Sequence, residues 1–142
     1  MLLNFKDQFV RFVEDGSKCH TLRAKRKSRP KAGEVCHCYT GLRRKGPRLL
    51  GRFECTRVQD VKIWITERGH LYIEIDGVQL TTAEIDSFAY TDGFRNSERS
   101  STSQMLAFWV ETNNLMPGEN WHGDLIHWRY KPGTNKGFCR DD

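Results

Sequence analysis

Two runs of cationic side chains carry the most evident chemistry of this sequence: Lys25-Arg26-Lys27-Ser28-Arg29-Pro30-Lys31 and Arg43-Arg44-Lys45-Gly46-Pro47-Arg48. Arginine presents a planar fork of donors and lysine a compact ammonium, and both hold phosphate oxygens. Between Lys18 and Arg57, thirteen Lys/Arg stand against Glu34 and Glu54, a net +11, which leaves −6 for the rest of a chain whose total is +5. Each run contains a proline, and the second a Gly-Pro pair, so both are expected in loops. A phosphate backbone offsets such concentrated repulsion through counterion release. Lys25, Arg26, Lys27, Arg29, Lys31, Arg43, Arg44, Lys45 and Arg48 are therefore candidate nucleic-acid contacts. The plain alternative is a pair of solvated loops. A membrane surface would attract the same charges, but neither run has the apolar face of an anchoring helix.

Other residue types that could do chemistry point less far. Cys19-His20, Cys36-His37-Cys38 and Cys55 raise zinc, but structural zinc takes cysteines spaced C-x₂₋₄-C on a knuckle, and buried apolar thiols fit better. With Cys139 the cysteines number five, an odd count, and Cys36 and Cys38 are too close for a relaxed bridge. Free thiols of a reducing cytoplasm are expected, with no metal and no cofactor. His122, Asp124 and His127 could form a base or metal pair, although solvent-facing roles suffice. Tyr39, Trp64 and Trp109 are candidates for stacking on bases, with Trp109 expected in the core because Leu106 and Val110 flank it at helical spacing. No Gly-rich phosphate loop, G-x-S-x-G or H-E-x-x-H occurs, so triphosphatase, serine hydrolase and zincin readings lack support.

The elements that must position these groups can be read from periodicity. A length of 142 residues fits one domain, and no apolar run approaches the roughly 20 residues of a membrane span. The start, Met1 to Phe5, has no signal-peptide pattern. Leu2 to Phe5 reads as a strand, and Asp7 to Glu14 as a helix with Phe9, Val10, Phe12 and Val13 on one side. Asp15-Gly16 ends it. Cys19 to Arg23 and Val35 to Thr40 read as extended, and Leu49 to Val61 as a longer strand. Lys62 to Ile65 and His70 to Ile75 read as two further short strands, with a turn at Asp76-Gly77. Thr82 is expected to cap a helix ending at Asp92-Gly93. Arg95 to Ser103 reads as a polar loop. Thr102 or Ser103 would then cap a helix from Gln104 to about Asn113, burying Met105, Leu106, Phe108, Trp109 and Val110. Leu125 to Tyr130 is a last strand. Short loops between successive strands from Glu34 to Ile75 disfavour parallel crossover units there. The expected class is α+β, a small mixed β-barrel with about three flanking helices over residues 1–130 and a loose C-terminal tail over 131–142.

With these elements placed, Gly16-Ser17-Lys18-Cys19-His20-Thr21-Leu22-Arg23 resembles the G-x-K-x-x-T-x-R signature of ASCH domains, which belong to the PUA-like barrels. Lys31-Ala32-Gly33-Glu34-Val35 is similar to that family's Gly-acid turn before a strand. Ala89-Tyr90-Thr91-Asp92-Gly93-Phe94 is similar to its A-x-x-[DE]-G-F segment, and Leu125-Ile126-His127-Trp128 to its closing strand. The resemblance covers roughly residues 1 to 130. The chain departs from it in its unusually basic loops and in the serine-rich insertion before Met105.

The resemblance implies a cytoplasmic protein that binds RNA or a modified nucleotide in a cleft. One branch of the family hydrolyses the acyl amide of N4-acetylcytidine, and another is described as cutting single-stranded RNA. By position the hydrolase trio falls on Lys18, Thr21 and Asp92, where the hydrolase has Glu in place of Asp92. Lys18, beside Arg23 and the basic loops, would have its charged form disfavoured and its pKa pushed toward that of a useful base. The hydroxyl of Thr21 needs such a base before it can attack an amide. Asp92 would orient Lys18 or handle the proton of the leaving amine. Arg23 suits a phosphate or a base carbonyl. Taken singly, Lys18 could equally be a solvated residue after a helix, Thr21 a strand residue and Asp92 a turn former.

Overall fold

A computed structural model of the chain describes residues 1–44, 46–96 and 98–133. Lys45 and the expected tail beyond Gly133, including Cys139, lie outside the described residues. Alternating apolar and polar residues at the start form β1 (Leu2–Phe5), which buries Leu3 and Phe5. The helix α1 (Asp7–Asp15) then buries Phe9, Phe12 and Val13, apolar positions at spacings of three and one, and stops at Gly16. β2 (His20–Ala24), β3 (Val35–Thr40), β4 (Arg48–Ile65), β5 (Leu71–Ile75) and β6 (Val78–Gln79) follow. Next come α2 (Thr82–Thr91), α3 (Ser101–Glu111) and β7 (Asn120–Arg129).

Seven strands join one sheet along the path β1-β3-β4-β5-β6, with β7 paired to β4 and β2 to β7. The α+β class and three helices are as expected. Among the described residues the sheet is mixed and not closed. β1 and β3 are parallel, in the register Leu2 with His37 and Asn4 with Tyr39. α1 and β2 occupy the connection this parallel pair requires, whereas β3–β4 and β4–β5, joined by short loops, are antiparallel as expected.

By internal packing the described residues form two compact units, one of residues 1–21, 28–58 and 126–133, the other of 22–27 and 59–125. The core of the first unit includes Leu3, Phe5, Phe9, Phe12, Val13, Cys36, Cys38, Leu50, Phe53 and Trp128. There the indole of Trp128 stacks on Phe53 at 6.1 Å and meets Phe5 edge-on at 5.9 Å. Each such aromatic or aliphatic side chain contributes roughly 1.5–3 kcal/mol through burial. The core of the second unit includes Ile63, Ile65, Leu71, Ile73, Ile85, Ala89, Phe94, Met105, Trp109 and Leu115. Trp109 meets Trp121 edge-on at 4.6 Å, and Phe94 meets Phe108 at 5.4 Å.

Several boundaries differ from the sequence reading, each for a local reason. Lys62 to Ile65 is the end of β4, because no Gly or Pro interrupts the run after Gly51 and Val61, Ile63 and Ile65 continue one buried face. Thr81, one residue before Thr82, caps α2. Its hydroxyl accepts from the Glu84 N–H at 3.2 Å while the Glu84 carboxylate accepts from the Thr81 N–H at 2.9 Å, a reciprocal capping box. Ser100 caps α3, accepting from the Ser103 N–H at 3.1 Å. The polar segment after Arg95 therefore becomes helical from Ser101. On α3, Met105 and Trp109 are buried, whereas Val110 is exposed.

Candidate functional site

The turn between α1 and β2 is built by Gly16. Its φ of +84° is left-handed, a conformation that costs little only without a Cβ. A Cβ at Gly16 would also stand 2.6 Å from the ring of Tyr130. Tyr130 is fixed there by donating its hydroxyl to the Glu14 carbonyl at 2.9 Å. The Ser17 N–H turns back to Asp15 at 2.8 Å, and the Lys18 N–H donates to the Phe12 carbonyl at 2.9 Å. The Cys19 carbonyl then accepts from the Trp128 N–H at 3.0 Å as the chain enters β2.

This path takes Lys18 and Thr21 into the first unit, 2 % and 5 % exposed. The Lys18 ammonium lies 5.1 Å from the Phe9 ring centre and 6.0 Å from that of Phe5, within range of cation–π attraction. A solvated lysine after a helix, the plain alternative, does not describe this residue. Arg23, on β2 in the second unit, is half-buried.

Asp92, also in the second unit, caps the C-terminus of α2 and is 5 % exposed. Gly93 at φ +109° donates to the Tyr90 carbonyl at 3.1 Å, and Phe94 to the Ala89 carbonyl at 3.0 Å. That is a Schellman closure, and it accounts for the Asp-Gly-Phe order: a cap, a left-handed glycine and an apolar residue folded back. Asp92 is thus a turn former, as its simplest reading has it, and a buried one.

Three of the cationic residues meet acids at short range. Lys25 contacts Asp60 at 2.5 Å and Asp124 at 2.7 Å, and Asp124 is fully buried. These hydrogen bonds, Asp124 first and then Asp60, hold the Lys25 pKa above its ordinary value. Two carboxylates against one ammonium leave this trio without surplus positive charge. Arg44 pairs with Asp7 at 2.9 Å and Arg48 with Glu14 at 2.6 Å. The hydrogen bond from Arg44 depresses the Asp7 carboxyl, and the bond that Arg48 donates to Glu14 raises the Arg48 guanidinium. Arg26, Lys27, Arg29, Lys31 and Arg43 are exposed.

Within the first unit, Asn4, Phe5, Lys6, Asp7, Gly41, Arg43 and Arg44 line a hollow of about 260 Å³. Arg43 and Arg44 are readable from the sequence as a basic run. Asn4 and Lys6 are not, since nothing local says that the 41–44 turn returns to the end of β1. The Asn4 carboxamide oxygen accepts from the Leu42 N–H at 3.0 Å and ties that turn down.

The thiols are placed as expected among the described residues. Cys36, Cys38 and Cys55 are buried and Cys19 half-buried, all free. Burial pushes the Cys36 thiol up to about 12, which makes it a poor nucleophile and metal ligand. No group of three or more His, Cys, Asp and Glu among the described residues could hold a metal. His127 meets His20 edge-on at 5.8 Å. Trp64 stacks on Tyr72 at 5.6 Å and carries the Lys62 ammonium at 4.7 Å, so its ring is already engaged. No helix among the described residues is long and apolar enough to cross a membrane. No family model, curated protein or solved structure matches the chain.

Proposed function

We propose that this chain binds single-stranded RNA or a nucleotide in the manner of a cytoplasmic ASCH domain, its open sheet being a variant of the PUA-like barrel. The observation that supports this reading is burial: Lys18, Thr21 and Asp92, the polar trio of the resemblance, are 2, 5 and 5 % exposed. Lysine is almost never fully buried unless paired, because desolvating the ammonium is costly. In this reading Lys18 and Thr21, both in the first unit, recognise a base. The exposed Arg26, Lys27, Arg29, Lys31 and Arg43 contact phosphates.

The test is fluorescence anisotropy with a labelled oligouridylate. Five phosphate contacts predict a slope of about −3.5 in log K against log salt, a roughly 100-fold loss between ~50 and ~200 mM. Affinity that stays flat over that range overturns the reading. Lys18→Gln should weaken binding further while leaving the slope unchanged.

A second reading, amide hydrolysis of an N4-acylated cytidine, is favoured by the burial of Lys18 and Thr21 three residues apart in one unit. In that chemistry the Thr21 hydroxyl adds to the acyl carbonyl as Lys18 takes its proton. The C–N bond then breaks, and the cytosine amine departs with a proton. Water hydrolyses the Thr21 ester to release the carboxylic acid. Incubation with N4-acetylcytidine that yields no cytidine removes this reading and leaves the first intact.

A further inference from the structure

Resting on the RNA-binding reading, we infer that the outer face of the first unit's sheet is a second subsite, which holds one nucleotide with its base on Tyr39 and its phosphate in the hollow at Arg43. The inward residues of β3, Cys36, Cys38 and Thr40, are buried, which turns His37 and Tyr39 outward. In β1 the same alternation buries Leu3 and Phe5 and turns Leu2 and Asn4 outward. Register places Leu2 beside His37, His37 opposite Arg52, and Asn4 beside Tyr39. One sheet face therefore carries an aromatic ring, an imidazole and a guanidinium, the Tyr39 and His37 rows being about 6.6 Å apart along β3. Leu2 and Val35 border them, 56 % and 43 % exposed.

Three observations select the occupant. The Tyr39 side chain makes no ring, cation or hydrogen-bond contact among the described residues, unlike Trp64, whose ring is engaged. Asn4 belongs both to the Tyr39 row and to the lining of the hollow, so the two features adjoin. Lys6 and Arg43, also lining it, have no ion pair among the described residues, whereas Arg44 beside them is held by Asp7. The carboxylate on this face, Glu54, faces Arg129 at 3.8 Å. His37 has its pKa held below the ordinary 6.5 by burial, by the Met1 ammonium and by Arg52, so it presents a neutral ring at pH 7. A surface with a partly exposed aromatic ring that no described side chain engages, apolar borders and unopposed cations in an adjoining hollow complements an unpaired base joined to a phosphate. An acidic peptide would match the cations and leave the ring without a partner.

The experiment compares binding of the labelled oligouridylate by the full chain and by Tyr39→Leu, Tyr39→Trp and Arg43→Gln, each checked for an unchanged thermal midpoint. Loss of one stacked base predicts a roughly 5- to 150-fold fall in affinity for Tyr39→Leu with the salt slope unchanged, and Tyr39→Trp should retain binding. Arg43→Gln should flatten the slope by about 0.7, one phosphate contact. Wild-type affinity in Tyr39→Leu overturns the subsite, and if Lys18→Gln still weakens binding the broader RNA reading stands. A wild-type chain that binds no oligonucleotide overturns both. Displacement of the RNA by an acidic peptide that binds Tyr39→Leu unchanged assigns the hollow to a protein partner and likewise overturns the subsite.

Discussion

Replacing Gly16 by alanine should be among the most damaging single changes at the α1–β2 turn, for two separable reasons. At φ +84° an L-residue pays for the approach of Cβ to the following carbonyl, about 1–2 kcal/mol. The new methyl would also lie 2.6 Å from the ring of Tyr130. That ring is anchored by its hydrogen bond to Glu14, so it must shift, at about 1–3 kcal/mol for overpacking. The total is roughly 2–5 kcal/mol, which at about 3 °C per kcal/mol lowers the thermal midpoint by some 6–15 °C. Urea denaturation of Gly16→Ala, Tyr130→Ala and the double variant separates the two parts. In the Tyr130→Ala background the glycine substitution should keep only its backbone cost, giving a coupling of about 1–3 kcal/mol. A cost below about 0.5 kcal/mol, or one unchanged when the tyrosine ring is absent, would refute the geometry that carries Lys18 into the core.

Lys25→Met should destabilise by about 2 kcal/mol, because it strips the fully buried Asp124 of its cation while the 45 % exposure of Lys25 tempers the loss. Lys25→Met with Asp124→Leu should cost less than the single change, by urea denaturation. Since Lys25 has a raised pKa when folded, its stabilisation is complete below the ordinary 10.5 and fades as pH climbs through the higher folded value. Alkaline titration of stability should show that loss in the wild type and a smaller one in Lys25→Met. Thr81→Ala should cost about 1 kcal/mol through the lost cap of α2, measured by thermal melting. Its partner Glu84 has a carboxyl held below 4.5 by bonds to Thr81, so this contribution is present at neutral pH and disappears as pH falls through the folded value. Cys36, with its thiol at about 12, should resist iodoacetamide at pH 8 in the native protein and react once urea is added, as peptide mass spectrometry would show.

Residue order alone determined the elements whose signals are local. The alternation in Leu2–Phe5 and Val35–Thr40, the apolar stripe of Asp7–Asp15 with its stop at Gly16, and the Asp76-Gly77 turn all stand where periodicity and turn chemistry put them. These patterns reflect side-chain geometry within a few residues, which a sequence displays directly. Tertiary structure decided the rest. Lys25 meets acids 35 and 99 residues away, and Asn4 receives a turn 38 residues on. No local rule anticipates either. The resemblance singled out Lys18, Thr21 and Asp92 as residue types, but whether they face water or the interior depends on what packs over them. The Lys18 side chain is covered by Phe5 and Phe9 because Gly16 reverses the chain against Tyr130. Polarity prescribes a preference for water, and only long-range packing can override it.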